Sequence, residues 1–224
     1  MTPWDLLATA IAPDGDELRL LRRGTELSIR LSDGNELMNS RLGGSEEALA
    51  ALALDALANR PSPRLLIGGL GMGFTLRAAL AAGGPDLSAV VAEIVPDLVD
   101  WARGPMAELF DGCLDDPRTE VQVRDVAACI AERKSAWDAI LLDVDNGPDG
   151  LTRPANGDLY APEGLAAARR ALRQGGVLAV WSAAPDRAFT RRLDAAGFHA
   201  ETRTVRAGRS KRGAKHTIWL AKAP

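Results

Sequence analysis

Arg64-Leu65-Leu66-Ile67-Gly68-Gly69-Leu70-Gly71-Met72-Gly73 decides the fold, because an apolar run leads directly into glycines spaced G-x-G-x-G. The apolar residues before Gly69 suit a buried parallel strand, and the Ala- and Leu-rich stretch from Phe74 to Ala82 suits the helix that follows. Glycine at such a junction turns the chain sharply and lets its backbone approach a ligand closer than a Cβ permits. Gly68, Gly69, Gly71 and Gly73 are therefore expected to line the site of an adenosine-bearing cofactor. A tight turn without a ligand is the competing reading of the glycines alone, and residues further along the chain weigh against it.

From residue 64 onward, short apolar runs alternate with helical patterns, as βαβ units on a parallel sheet require. Strands are expected at 64–68, 89–93, 119–124, 137–143, 176–182, 198–206 and 215–222, and helices near 73–82, 96–110, 126–134, 162–173 and 186–196. The last two strands can pair antiparallel through Gly208 to Gly213. The expected fold is α/β and Rossmann-like, of the class I methyltransferase type: a mostly parallel seven-stranded sheet ending in an antiparallel hairpin. A nicotinamide-linked dehydrogenase, with uniformly parallel strands, fits this less well.

Residues 1–60 differ in character. Glu17 to Leu21 and Glu26 to Leu31 alternate apolar and polar residues between turn signals at Arg22-Arg23-Gly24 and Asp33-Gly34-Asn35-Glu36, which predicts a small antiparallel hairpin or meander. Ser45 before Glu46 and Glu47 is the expected cap of a helix reaching Ala58, with Pro61 and Pro63 stopping it. The expected organisation is a hairpin-and-helix appendage over 1–60 and a catalytic domain over 61–224. The hairpin edges offer a place for a second subunit to pair, giving a homodimer.

The 224 residues, 46% hydrophobic and 25% charged, can bury a substantial core. A net charge of −3 gives the whole molecule no electrostatic case for nucleic acid or anionic membranes. Cys113 and Cys129 lack the paired spacing of a zinc or redox site and read as reduced thiols of a cytoplasmic protein. No run approaches the ~18 apolar residues of a membrane span, and Met1 to Pro13 carries Asp5 without a positive start, unlike a secretory signal. Arg203, Arg206, Arg209, Lys211, Arg212 and Lys215 form a local basic stretch, read as a solvated hairpin or as a flap attracting an acidic substrate or an RNA phosphate backbone. His199 and His216 are read as edge residues without a catalytic role.

Four regions extend the glycine turn into a site. Glu93, at the end of the second main strand, can accept from both hydroxyls of a ribose. Asp125, after the third, can accept from an adenine amino group or cap the next helix. Asp143, Asp145 and Asn146 leave the carboxyl end of the fourth strand, where open α/β sheets place ligands. Crowded carboxylates call for a cation; with no histidine beside them, an amine or sulfonium fits better than a metal. Tyr160 follows a loop, Asn146 to Asp158, long enough to cover the pocket, and Trp181 ends the fifth strand close to it.

As a set, these residues resemble the spermidine synthase-like proteins, aminopropyltransferases built on the methyltransferase fold. The similarity runs over most of 37–222 and includes Leu142-Asp143-Val144-Asp145, Leu159-Tyr160 and Ala171 to Leu178. It implies that Gly69 and Gly71 line the sulfur side of the nucleoside, Glu93 holds the ribose, Asp125 the adenine, and Asp143 faces an acceptor amine. The chain departs from the family in three places. The family's glycine-loop aspartate is matched by Gly71. Its second acid, followed by Pro, is replaced by Asn146 and Gly147, with Asp145 displaced by one. The segment that supplies Gln and Tyr reads Met38 to Glu47. The expectation is a transferase using S-adenosylmethionine, or its decarboxylated form, that moves a methyl group to a small acceptor by in-line displacement. Aminopropyl transfer is the alternative, and a nucleoside-binding protein without catalysis is a further one. Such a displacement needs alignment and exclusion of water, with Asp143 positioned to hold the acceptor's ammonium and take or relay its proton and Asp145 sharing the positive field.

Overall fold

The computed structural model describes residues 3–58, 60–144, 147–148, 156–208 and 213–224. The chain opens with four antiparallel strands in sequential order, β1 (Asp5–Ile11), β2 (Glu17–Arg23), β3 (Glu26–Leu31) and β4 (Glu36–Asn39). Helix α1 (Gly44–Ala56) follows. The main sheet then forms from β5 (Arg64–Gly68), β6 (Ser88–Glu93), β7 (Thr119–Val123), β8 (Trp137–Leu142), β9 (Leu172–Ser182), β10 (His199–Arg206) and β11 (Lys215–Lys222). Its order is β7-β6-β5-β8-β9-β11-β10. The pairs from β7 to β9 are parallel, while β11 lies antiparallel between β9 and β10. The expected fold is thus present.

The helices between strands are α2 (Phe74–Ala82), α3 (Pro96–Arg103), α4 (Ala107–Phe110), α5 (Val126–Ala131), α6 (Gly157–Tyr160), α7 (Pro162–Ala171) and α8 (Arg187–Ala195). Strand alternation divides the core into two layers. Leu65, Ile67, Ala139, Leu141, Val177, Ala179 and Trp181 face the layer shared with α1, α2 and the N-terminal sheet. Leu66, Ile140, Leu142, Leu178 and Val180 face the layer under α5, α7 and α8. Both faces of the sheet are covered, which is why these strands read as unbroken apolar runs.

Several local expectations are corrected. Of the hairpin and meander readings of the N-terminus the meander holds, but with four strands: β1 escapes period-two reading because Asp5 to Ile11 places apolar residues side by side, is bulged between Leu6 and Ala8, and leaves Leu6 57% and Ile11 62% exposed. The helix expected over 96–110 breaks in two at Gly104-Pro105, where proline cannot continue it. Ser45 does not cap α1. The cap position is Gly43, without a side-chain bond, and the Gly44 N–H is tied to the Ala207 carbonyl at the end of β10.

The amino-terminal end of β8 carries the buried Asp138. It accepts from Arg60 Nη1 at 2.6 Å, Arg173 Nη1 at 2.8 Å and the Arg64 backbone N–H at 2.8 Å. This cluster joins the starts of β5, β8 and β9. Among the described residues no helix is long and apolar enough to cross a membrane.

Candidate functional site

β5 is hydrogen-bonded to β6 on one side and β8 on the other, and the chain reverses its direction of travel across the sheet between them. Side chains at the carboxyl ends of such neighbouring strands surround a crevice. Two cavities occupy it, meeting at Met38, Gly71, Asp143 and Val144. The first, of about 170 Å³, lies between Gly69, Glu93, Asp125 and Val126 on the main sheet and Pro13 and Leu18 of the N-terminal sheet. The second, of about 150 Å³, is bounded by Asn39, Glu46, Phe74, Thr75, Asp143 and Trp181.

The glycine turn takes its shape from close approach. Gly69 has φ +87°, and a Cβ there would lie 2.6 Å from the Asp143 carbonyl oxygen. The ladder continues past it: Gly69 N–H donates to the Ala92 carbonyl and Asp143 N–H to that of Gly68. Glu93 locks the same turn from β6. Its Oε2 accepts from Leu70 N–H at 2.9 Å and its Oε1 from Val95 N–H at 2.8 Å. Burial raises its pKa, an effect larger than the opposing backbone donors. Asp125 caps α5 through the Ala127 N–H at 2.8 Å and lines the first cavity, so its two expected positions coincide. A glycine cradle, a carboxylate with lone pairs left for ribose hydroxyls, and a second carboxylate at the rim could hold an adenosine.

Asp143 borders both cavities. Thr75 Oγ1, in the first turn of α2, donates to its Oδ2 at 3.0 Å. Burial, and then the nearby Glu46 carboxylate, push its pKa up to about 7, against the Thr75 hydrogen bond. Glu46 is likewise raised by burial, opposed by its bond to Ser45. Ser45 Oγ sits 2.6 Å from Glu46 Oε2 and 2.8 Å from His216 Nδ1. Burial lowers the pKa of His216, whose ring meets that of Trp181 edge-on at 4.7 Å.

The structure thus brings together Gly69, Gly71, Glu93, Asp125 and Asp143, with Trp181 at the second cavity. Gly68 and Gly73 shape the turn without lining either cavity. Tyr160 is corrected: it is 1% exposed, packs edge-on against Phe189 at 5.7 Å in the opposite core layer, and borders neither cavity. Asn156, just before α6, borders the first cavity instead. Asp145 and Asn146 lie outside the described residues, as do Arg209, Lys211 and Arg212 of the basic stretch. Gly147, with φ +108°, packs so closely that a Cβ would lie 1.9 Å from Ser182 Oγ, which explains why no larger residue stands there. Among the described residues, no group of three or more His, Cys, Asp and Glu is placed to hold a metal ion.

Sequence reasoning missed Glu46, Thr75, Ser45 and His216. An acidic first turn is a generic helix signal, which hid Glu46, and 171 positions separate Ser45 from His216. The family resemblance did mark Met38 to Glu47 as a site segment, and Met38, Asn39 and Glu46 do border the second cavity.

Fold and crevice define a class I methyltransferase-like α/β protein with an acidic cavity beside its glycine turn. Within that class the chain is spermidine synthase-like in sequence and fold. It is 35% identical over 137 residues to the polyamine aminopropyltransferase of Pyrobaculum calidifontis, covering 57% of this chain and 44% of that protein. With the Mycobacterium tuberculosis polyamine aminopropyltransferase it shares 28% over 172 residues, covering 75% of this chain and 31% of that one. Spermidine synthase from Thermotoga maritima superposes with a TM-score of 0.77 at 21% identity, covering 98% of this chain and 73% of that one. A spermidine synthase in complex with the transition-state analogue AdoDATO gives 0.79 at 21% identity, over 98% and 74%. No family profile matches the chain. The chain spans less than half the length of these curated relatives.

Proposed function

We propose that the chain is a transferase that moves an aminopropyl group from decarboxylated S-adenosylmethionine to a small amine. The observation carrying this is Asp143 at the junction of the two cavities with Glu46 beside it, in a second cavity whose described lining includes no lysine or arginine. A cofactor carboxylate directed there would face two acids; an ammonium would neutralise them. The names of the similar proteins support aminopropyl over methyl transfer.

When bound, the sulfonium group supplies an electrophilic carbon with a neutral thioether as leaving group. In this reading Glu93 holds the ribose, Asp125 lies at the adenine, and Gly69 and Gly71 give the sulfur side a close backbone surface. Asp143, oriented by Thr75, holds the acceptor's ammonium and takes its proton so that a nitrogen lone pair is free for attack. Phe74 and Trp181 exclude water, and the N-terminal sheet closes the crevice through Met38 and Leu18. Asp145, two residues after Asp143 in the chain, is the second acid of this reading. The wider reading is a cytoplasmic protein, with residues 61–224 as the catalytic domain and pairing into a homodimer supported by exposed Leu6 and Ile11 on edge strand β1.

Methyl transfer from S-adenosylmethionine is the second reading, favoured by Gly71. A Cβ there would meet only Met38 Sδ at 3.6 Å, so an aspartate has room, yet none stands there to disfavour a cofactor carboxylate. Incubation with each cofactor and a panel of short diamines and monoamines separates the two by their thioether products. Methylthioadenosine formed in step with an aminopropylated amine is the expected result. S-adenosylhomocysteine alone would replace it by methyl transfer, and cofactor binding without either product would leave a nucleoside-binding protein.

A further inference from the structure

We propose that Glu46, Ser45 and His216 form a relay that carries the acceptor's proton from the second cavity to the protein surface, with Ser45 and His216 as positioning residues for the transfer. The inference rests on the transferase reading with an amine acceptor. Its geometric basis is independent of that reading: Ser45 Oγ is buried and lies within hydrogen-bond distance of Glu46 Oε2 on one side and His216 Nδ1 on the other.

A hydroxyl carries a single proton, so it donates to only one of these neighbours and accepts from the other. Two arrangements follow. In one, a protonated Glu46 carboxyl donates to Ser45, whose own proton points at the Nδ1 lone pair of a neutral His216. In the other, His216 Nδ1–H donates to Ser45 and Ser45 to the Glu46 carboxylate. Passing from the first to the second moves one proton from Glu46 to the imidazole without moving a heavy atom.

Alkylation of an ammonium by a sulfonium releases one proton. The nitrogen–carbon bond forms, the carbon–sulfur bond breaks with its electron pair going to sulfur, and the ammonium proton must leave. Asp143 and Glu46 border one cavity and repel each other when both are ionised, so the two carboxyls take up that proton as a pair. Ser45 passes it to His216, which is half-buried where β11 begins. Burial disfavours the charged imidazole, so His216 passes the proton onward rather than storing it. Around it, from α1 comes Glu46; from β9 the uncharged Trp181 and Ser182; from β10 Val205, flanked by Thr204 and Arg206. Trp181 holds the ring edge-on and also borders the cavity, so one side chain seals the acceptor site and fixes the relay's outer member.

The chain has two histidines, so His199, at the exposed start of β10, is an internal control for nitrogen NMR of His216 in the full chain. The relay predicts that Glu46→Gln and Ser45→Ala each move the His216 titration by about half a pH unit or more while His199 stays in place. An unmoved His216 in both variants, each shown folded by its amide spectrum, overturns the relay whatever the protein's activity. In turnover, His216→Ala and Ser45→Ala are expected to lower kcat by about 10- to 100-fold and shift its pH profile, with acceptor KM within about twofold. Wild-type kcat and pH profile in both variants would overturn the relay and leave the transferase reading intact. A wild-type chain that forms no thioether product with any cofactor and acceptor would fail that reading, and the histidine titration would still decide the hydrogen-bonded chain.

Discussion

Glu93 Oε2 accepts the backbone N–H of Leu70 at 2.9 Å, so a carboxylate at the end of β6 fixes the turn that follows β5. Its other oxygen accepts from Val95 N–H. Both oxygens are engaged by the protein before any ligand binds, and the remaining lone pairs are thereby aimed. Pre-organisation of this kind lowers the ordering cost of binding a nucleoside.

Glu93→Gln should show how much depends on that carboxylate. The amide nitrogen would face a backbone N–H, leaving one donor without an acceptor, and charge-assisted bonds to a ligand would weaken. Cofactor affinity is expected to fall about 10- to 100-fold, or roughly 1.4–2.8 kcal/mol, by calorimetry. Affinity within twofold of the parent would remove Glu93 from the cofactor site.

Asp143→Asn should lower kcat by about 10²- to 10⁴-fold while cofactor affinity stays within a few-fold, because it removes an acceptor for the proton and little volume. In the parent chain, turnover should rise about tenfold per pH unit below a midpoint near 7, where burial and Glu46 place this carboxyl. A flat profile between pH 5 and 8 would take Asp143 out of the chemistry.

The same group sets a stability trend. Its folded pKa is about 7, whereas an unfolded aspartate titrates near the usual ~4, so the folded state holds the extra proton between those values. The contribution of Asp143 to stability is therefore full below about pH 4 and lost as pH rises through about 7. Asp143→Asn removes that loss. Thermal unfolding at pH 8 should find the variant at least as stable as the parent, and a clearly less stable variant would show that the carboxylate is stabilising when charged.

The two inner glycines should respond oppositely to substitution. At Gly69 a methyl group meets the Asp143 carbonyl at 2.6 Å with φ +87°, so Gly69→Ala should abolish detectable cofactor binding. Gly71→Asp has room at φ +50°, at a backbone cost of about 1 kcal/mol. It should shift preference further toward decarboxylated S-adenosylmethionine by about tenfold, read by calorimetry against both cofactors. No change in preference would mean that residue 71 does not face the cofactor's terminal group.

Asp138 should matter to stability alone. Asp138→Asn would leave Arg60 and Arg173 without their shared carboxylate, lowering stability by about 3 kcal/mol and Tm by roughly 6–12 °C. Turnover at a temperature where the variant stays folded should match the parent.

The strand and helix succession from residue 64 onward was legible because the central strands β5, β6, β8 and β9 are buried on both faces and most of the helices are bounded by glycine or proline. Glu93, Asp125 and Asp143 were legible for a related reason: in a parallel sheet a polar residue just beyond an apolar strand falls at the ligand-binding edge. The N-terminal sheet was only half legible, since β1 is a bulged edge strand with exposed Leu6 and Ile11, and little burial dictates its pattern. Tyr160 was misplaced because a loop's length does not say which face of the sheet its end will reach.

By itself, then, the sequence determined the sheet, the glycine turn and the acids at strand ends, all of which follow from local periodicity and chain sterics. Only the tertiary structure decided that α1 delivers Glu46 to the cavity of Asp143 and that Ser45 meets His216. These contacts join segments about a hundred or more residues apart, and they exist only because α1 packs across the main sheet onto β9 and β11.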